Sequence, residues 1–306
     1  MKRAVIDLGT NTFHLEIIGD EDKTLFKLSK PAKIGMGGIN KGIITEEGIQ
    51  RGIAVLRVFK EHIIEFGITS ECVFAFGTSA FRSAKNKEEV LNRIHEATQI
   101  HIEVISGDRE AELIYVGVTK AVEIKKPSLI VDIGGGSVEF IICKSDAILW
   151  KKSIEIGGQR MMEFFQDSDP LSAGSVNKLD DYLRENLLPL ANACHQYSPS
   201  ILVGSSGSFD TLNSIYFYKK TGKETPEEEI GFNYPLEEFI DSYEKLLSKN
   251  RVERMAIPGM IELRVDMIVV AVCLVRYLIQ NFGLKTLKIS KYALKEGILD
   301  ATKGYK

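Results

Sequence analysis

Two stretches of the chain share one arrangement of apolar and polar positions. Near the start, Ala4-Val5-Ile6 runs into Asp7, passes Leu8-Gly9-Thr10-Asn11, and resumes with Thr12-Phe13-His14-Leu15-Glu16-Ile17-Ile18. Near the middle, Leu129-Ile130-Val131 runs into Asp132, passes Ile133-Gly134-Gly135-Gly136-Ser137, and resumes with Val138-Glu139-Phe140-Ile141-Ile142. Short apolar runs separated by glycine read as strands joined by a tight turn. The pattern therefore predicts hairpins over 3–18 and 129–142, with further strands over 24–30 and 148–154. Beyond the first hairpin, Ile49, Ile53, Leu56, Phe59, Ile63 and Phe66 recur near the helical period. Thr45 is placed to cap that helix, with Glu46 and Glu47 in its first turn. Strands are expected over 72–77 and 102–105, and helices over 88–98 and from Ser106 onward. The pattern fades over 123–127, which divides the chain into units 1–124 and 125–306. In the second unit we expect helix over 172–197, a strand over 201–203, a mobile polar loop over 219–233, and an amphipathic helix over 236–247. A buried helix over 267–275, a strand over 287–290 and a terminal helix over 292–302, packed back on the first unit, complete the reading.

The turns carry the chemistry. Glycine lets a ligand approach the backbone, and successive exposed N–H groups make a concave anion site. An acid at the end of the preceding strand fits such a site when a divalent cation lies between carboxylate and phosphate. Either turn alone also fits an ordinary glycine-rich hairpin. Two copies, one opening each half, imply a duplicated phosphate-binding hairpin facing itself across a cleft, the pattern of the actin, sugar-kinase and heat-shock ATPase group. The expected fold class is thus α/β, a duplicated actin-like (ribonuclease H-like) ATPase fold with two domains flanking a cleft. Gly204–Phe209, between a strand and a helix, is a third Gly/Ser turn, suited to an anion or a ribose and nearly as well to a plain connection. Arg82, four residues after Thr78-Ser79, is a phosphate candidate or an exposed helix-start arginine. In the helix after Ser106, Asp108 and Glu112 read as solvated dipole partners, and Glu110, beside the first apolar turn, as the acid able to point inward.

Composition narrows the partners. The net charge of −3 offers no overall basic field for nucleic acid or membrane. The four cysteines are scattered, as in a reduced cytoplasmic protein without a disulfide frame or zinc site. Met1-Lys2-Arg3 leads straight into a strand, so no secretory signal is expected. The longest apolar run stops at Arg276, too short to span a bilayer. Phosphate-loop, dinucleotide and nucleophile-elbow motifs are missing. Of the five histidines only His14, beside Asp7, reads as a cleft residue.

Taken together, these segments make the chain resemble the exopolyphosphatase / guanosine pentaphosphate phosphohydrolase family over nearly its whole length. The segments that carry the resemblance are 5–13, 77–86, 105–115, 131–139, 154–160, 203–209 and 289–299. The resemblance implies Mg²⁺-dependent release of terminal phosphate from inorganic polyphosphate or guanosine pentaphosphate, and a possible homodimer. It makes Glu110 the catalytic base. It places Asp7, Asp132 and Glu139 at the metal, and Gly9, Thr10, Asn11, Gly134, Gly135, Gly136, Ser137, Arg82 and Arg264 on phosphate. His14 stands where members usually carry arginine, which implies a weaker or pH-dependent grip. By the same resemblance the chain is expected to end after the two core domains, without the further helical domains of longer members, which puts processivity on long polymers in doubt. Two other readings stay open: a phosphotransferase or ATPase of the same fold, and a non-catalytic alarmone sensor.

Overall fold

A computed structural model of the chain describes residues 2–303. The first half runs β1 (Arg3–Leu8), β2 (Thr12–Ile18), β3 (Thr24–Pro31), α1 (Glu46–Glu65), β4 (Val73–Gly77), α2 (Ser79–Ser83), α3 (Lys87–Thr98), β5 (Ile102–Val104) and α4 (Gly107–Ala121). The second runs β6 (Ser128–Ile133), β7 (Val138–Lys144), β8 (Ala147–Ile154), α5 (Gly158–Phe165), α6 (Ala173–Asn186), α7 (Leu188–Tyr197), β9 (Ile201–Ser205), α8 (Gly207–Thr221), β10 (Gly231–Tyr234), α9 (Leu236–Leu247), α10 (Arg251–Met255), α11 (Ile268–Asn281), β11 (Thr286–Ser290) and α12 (Leu294–Ala301).

Among these residues the strands form two sheets, ordered β3-β2-β1-β4-β5 and β10-β11-β9-β6-β7-β8. Taken from the hairpin edge, β8-β7-β6-β9-β11 repeats β3-β2-β1-β4-β5. In both, the first three strands are antiparallel and the remainder of the repeat is parallel. The duplication extends to single residues. Asp7 lies opposite His14, and Asp132 lies opposite Glu139. The two aspartates therefore hold equivalent places at the ends of the two central strands. Burial follows position in the sheet. Every residue of β6 is buried, as expected of a strand covered on both faces, whereas β3, an edge strand, alternates between exposed and half-buried positions.

Helices α4 and α12 fill the space between the sheets. Ile114 and Val118 of α4 and Leu294 and Ile298 of α12 share one core with Val5 of β1 and with Ile130, Ile141 and Val203 of the second sheet. The helices touch through their backbones. A Cβ on Gly297 would lie 1.9 Å from the carbonyl oxygen of Leu113, and one on Gly117 would lie 2.0 Å from that of Ala293. Backbone cannot retreat as a flexible side chain can. Gly297→Val is therefore expected to destabilise the protein by about 3 kcal/mol or more, the upper end of overpacking. Gly174→Ala, whose Cβ meets only a Ser172 oxygen at 3.8 Å, should stay within about 0.5 kcal/mol. Denaturant unfolding of both variants checks the contrast.

Several elements differ from the sequence reading. The helix expected over 172–197 breaks at Leu187, with Pro189 at the start of α7, where it needs no amide partner. The loop expected over 219–233 is shorter, since regular elements cover both of its ends and only 222–230 lie between them. α8 continues to Thr221 and is ended by Gly222 at φ 69°, and β10 adds an antiparallel edge beside β11. Phe66 caps α1 from outside, and Cys72 lies in a 3-10 turn before β4. α11 passes Arg276 because that side chain pairs with Asp180 of α6. No helix among the described residues is long and apolar enough to cross a membrane. No disulfide joins any of the four cysteines.

Candidate active site

The two glycine turns converge on one cavity of about 170 Å³. Both are held the same way, by bonds to their carbonyl oxygens. Gly134 O, Gly135 O and Gly136 O accept the amides of Gly158 (2.8 Å), Gln159 (2.8 Å) and Gly157 (3.2 Å) at the start of α5. Thr10 O accepts the amide of Gly35 (3.2 Å), and Asn11 O accepts those of Ala32 (2.9 Å) and Lys33 (2.8 Å). The carbonyls are thus tied down on one side, and the amides of Thr10, Asn11 and Gly134–Ser137 donate to no backbone group among the described residues. Gly9, Thr10, Asn11, Gly134, Gly135, Gly136 and Ser137 all border the cavity. The turns also touch each other. A Cβ on Gly136 would fall 2.6 Å from Thr10 Oγ1 and 2.5 Å from Ser79 Oγ, so glycine is required for the close approach.

Acids line the same cavity. Asp7 and Asp132 each lie one residue before the end of their strands, β1 and β6, so each comes from the central strand of its sheet. Burial pushes Asp7 up to about 7, with Asp132 adding to the rise. Asp132 is raised to about 6 by burial, opposed by hydroxyl donors, of which Ser205 Oγ donates to its Oδ2 at 2.8 Å. Asp7 Oδ1 is buried without a hydrogen-bond partner. A like-charged pair with an unpartnered oxygen, set between two anion-binding turns, fits a divalent cation. Among the described residues no three His, Cys, Asp or Glu side chains are placed to hold a metal alone. A cation here would therefore need oxygens from its ligand, which is how Mg²⁺ commonly binds.

Glu110 reaches the cavity from the first turn of α4, which Ser106 caps by accepting the amide of Arg109 at 3.1 Å. Burial raises its carboxyl to about 7 even though Arg82 opposes the shift. Arg82 Nη1 donates to Glu110 Oε2 at 2.8 Å and to the carbonyl of Ile105 at 3.3 Å, and Nη2 donates to Ser153 Oγ at 3.2 Å. Glu139 Oε1 accepts Ser137 Oγ at 2.6 Å and Ser153 Oγ at 2.7 Å, and burial raises Glu139 well above the usual carboxylate range. Neither Arg82 nor Glu139 is among the residues that border the cavity. They stand behind Glu110 and the glycine turn and fix both in place.

Arg264 does border the cavity. Its guanidinium lies against the start of α8, where a Cβ on Gly207 would fall 2.3 Å from Cζ. The loop that presents it is pinned by Arg254, which is fully buried. Arg254 donates from Nε to Val265 O at 2.9 Å and from Nη1 to Asp169 Oδ1 at 2.6 Å. His14 is on the wall as well. It shares a hydrogen bond with Ser29 Oγ at 2.7 Å, and burial, helped by Lys295 and Arg264, lowers it to about 4. His14 is therefore neutral near pH 7. Three charged wall residues lie outside the sequence reading. Asp210, on the first turn of α8, is raised to about 7 by burial, Lys291 follows β11, and Lys295 comes from α12.

Paired anion-binding turns at the seam of a duplicated β-sheet, with an aspartate near the end of each central strand, place the molecule in the actin-like ATPase fold class. Within that class, residues 18–305 match the Ppx/GppA phosphatase family, and the chain belongs to it. A crystal structure of an exopolyphosphatase from Cytophaga hutchinsonii is 41% identical and superposes with a TM-score of 0.92, covering 99% of both chains. The Ppx/GppA family member of Aquifex aeolicus is 24% identical, with a TM-score of 0.78 over 100% of this chain and 99% of that one. A curated relative, the bifunctional 3-dehydroquinate synthase/phosphatase of Fusobacterium nucleatum, is 28% identical over 294 residues. The aligned part is 92% of this chain and 43% of that much longer protein.

Proposed function

We propose that this protein is a Mg²⁺-dependent hydrolase of the cytoplasm that releases terminal orthophosphate from inorganic polyphosphate or guanosine pentaphosphate. The observation that carries the reading is the meeting of Glu110 with both amide-lined turns on a single cavity. The terminal phosphate lies between the turns, where unspent amides and Arg264 meet its oxygens. Preorganised donors of this kind stabilise the charge that builds in phosphoryl transfer. Glu110 takes a proton from the attacking water, and its pKa near 7 suits a base working at neutral pH. Arg82 orients that carboxylate through the 2.8 Å bond. Asp7 and Asp132 would hold Mg²⁺ from the protein side, where a bound ion neutralises phosphate charge.

The match to the Ppx/GppA phosphatase family favours hydrolysis over transfer. Product analysis tests this. Orthophosphate formed from tripolyphosphate or guanosine pentaphosphate with Mg²⁺ and no acceptor supports the reading. ADP that appears from ATP only when a sugar or carboxylic acid is added would instead make the protein a phosphotransferase.

A further inference from the structure

The two turns come from different halves of the chain, yet one phosphate must lie between them, so their spacing has to be fixed. Arg160, at the start of α5, bonds to what stands behind both. Only 11% of its side chain is exposed. Nε donates to Gly136 O, within the second turn, at 2.8 Å. Nη1 donates to Ile39 O, in the first half, at 2.9 Å. From there the bonds run on to the first turn: Ile39 N donates to Gly35 O at 2.9 Å, and Gly35 N donates to Thr10 O at 3.2 Å. Nη2 donates to Ser83 Oγ at 3.1 Å and to Glu155 Oε2 at 2.6 Å. Glu155 Oε2 also accepts Ser79 Oγ at 2.8 Å, and its Oε1 lies 3.5 Å from Nη2 of Arg82, the arginine bonded to Glu110. Glu163 of α5 closes the same seam by accepting the Gly37 amide at 2.9 Å and Asn40 Nδ2 at 3.1 Å.

One guanidinium thus bonds to the second turn, to the stretch that supports the first, and to the carboxylate beside Arg82. It does not border the cavity, so it acts through these partners. The planar fork of arginine serves several acceptors in fixed directions, which a lysine ammonium on a flexible stem cannot do. We propose that Arg160 is a positioning residue that sets the spacing of the two turns and their register with Glu110. The proposal rests on the hydrolase reading for what the turns hold. Either turn alone offers amides to a phosphate, so binding survives a small change of spacing. In-line attack needs both turns and the base in register, so the cost of losing Arg160 falls on kcat.

The test compares wild type, Arg160→Ala and Arg160→Lys on tripolyphosphate and guanosine pentaphosphate with Mg²⁺. Ala should lower kcat by about 10²-fold, the scale of a 1 Å misplacement, and leave KM within about threefold. Lys keeps the charge beside Glu155 but loses the fork, and should be nearly as slow. Full activity in the Lys variant would reduce Arg160 to a charge partner and overturn the proposal, as would a defect confined to KM. Hydrogen exchange supplies a reading that needs no turnover. In Arg160→Ala the amides of Gly35 and Ile39 in the first half and of Gly157 in the second should exchange faster together, by about tenfold, while β1 and β6 stay unchanged. Faster exchange at Gly157 alone would show that Arg160 does not couple the turns, and would overturn the proposal. Should Arg160→Ala melt early, Arg160→Met, which keeps the stem without the donors, takes its place. If wild type releases phosphate from neither substrate, the hydrolase reading fails, and the exchange pattern still decides what Arg160 does.

Discussion

Glu110→Gln is expected to lower phosphate release by about 10²–10⁴-fold, the range typical of lost general-base catalysis, with substrate affinity nearly unchanged. The amide keeps the size of the carboxyl and can still accept the 2.8 Å bond from Arg82 Nη1. It cannot take up a proton. The wild-type enzyme should also show an ascending limb in its pH profile near 7, because Glu110 must be ionised to act and burial has moved it to about 7. The limb should be missing from the variant's residual activity. Rates from pH 5 to 9, with binding measured separately, separate loss of the base from loss of the site. Near-normal turnover by the variant would remove Glu110 from this role.

Asp7→Asn should have the second-largest effect, and a paradoxical one: a more stable protein that works worse. In the unfolded chain this carboxyl ionises near 3.8, and in the metal-free fold near 7. Between those values the folded state holds the extra proton, so stability falls as pH rises, and the loss is complete above about 7. At about 1.4 kcal/mol per unit, the penalty removed by Asn is of order 2–4 kcal/mol. Metal-free Asp7→Asn should therefore melt higher than wild type at pH 8, and the gap should close toward pH 4. Phosphate release should fall by roughly 10²-fold or more, since several kcal/mol of charge stabilisation depend on the ion this carboxylate would hold. The rise in Tm on adding Mg²⁺ should shrink at the same time. A variant that melts lower at pH 8, or keeps its activity, contradicts this placement of Asp7.

What was legible in the sequence is what the local pattern encodes. The runs ending at Asp7 and Asp132 combine short apolar stretches with glycine turns, and both hairpins stand in the structure where that pattern placed them. Ser106 as a cap and Glu110 as the inward acid of the next turn follow from helix geometry, which separates neighbouring side chains by about 100°. Pro189 was a signal for the break between α6 and α7, and Gly117 and Gly297 were signals for a close helix crossing, because glycine inside a helix is unfavourable unless packing requires it. The rest has no local signature. Lys295 and Asp210 reach the cavity from helices far apart in the chain, brought together by the parallel crossovers of the second sheet. Segment 154–160 carries part of the resemblance, but that 32–35 and 157–159 hold the carbonyls of the two turns is visible only once the fold sets them beside the glycines. The tasks of Arg82 and Arg254 depend on carbonyl and carboxylate partners that only tertiary structure supplies.

The central claim is that the turns hold a terminal phosphate for attack by water at its own phosphorus. Hydrolysis of tripolyphosphate in ¹⁸O-water, followed by ³¹P NMR, tests it most directly. The account predicts one ¹⁸O in each released orthophosphate, none in the shortened chain, and no reaction once Mg²⁺ is chelated. Label on the remaining chain, or orthophosphate without label, would contradict it.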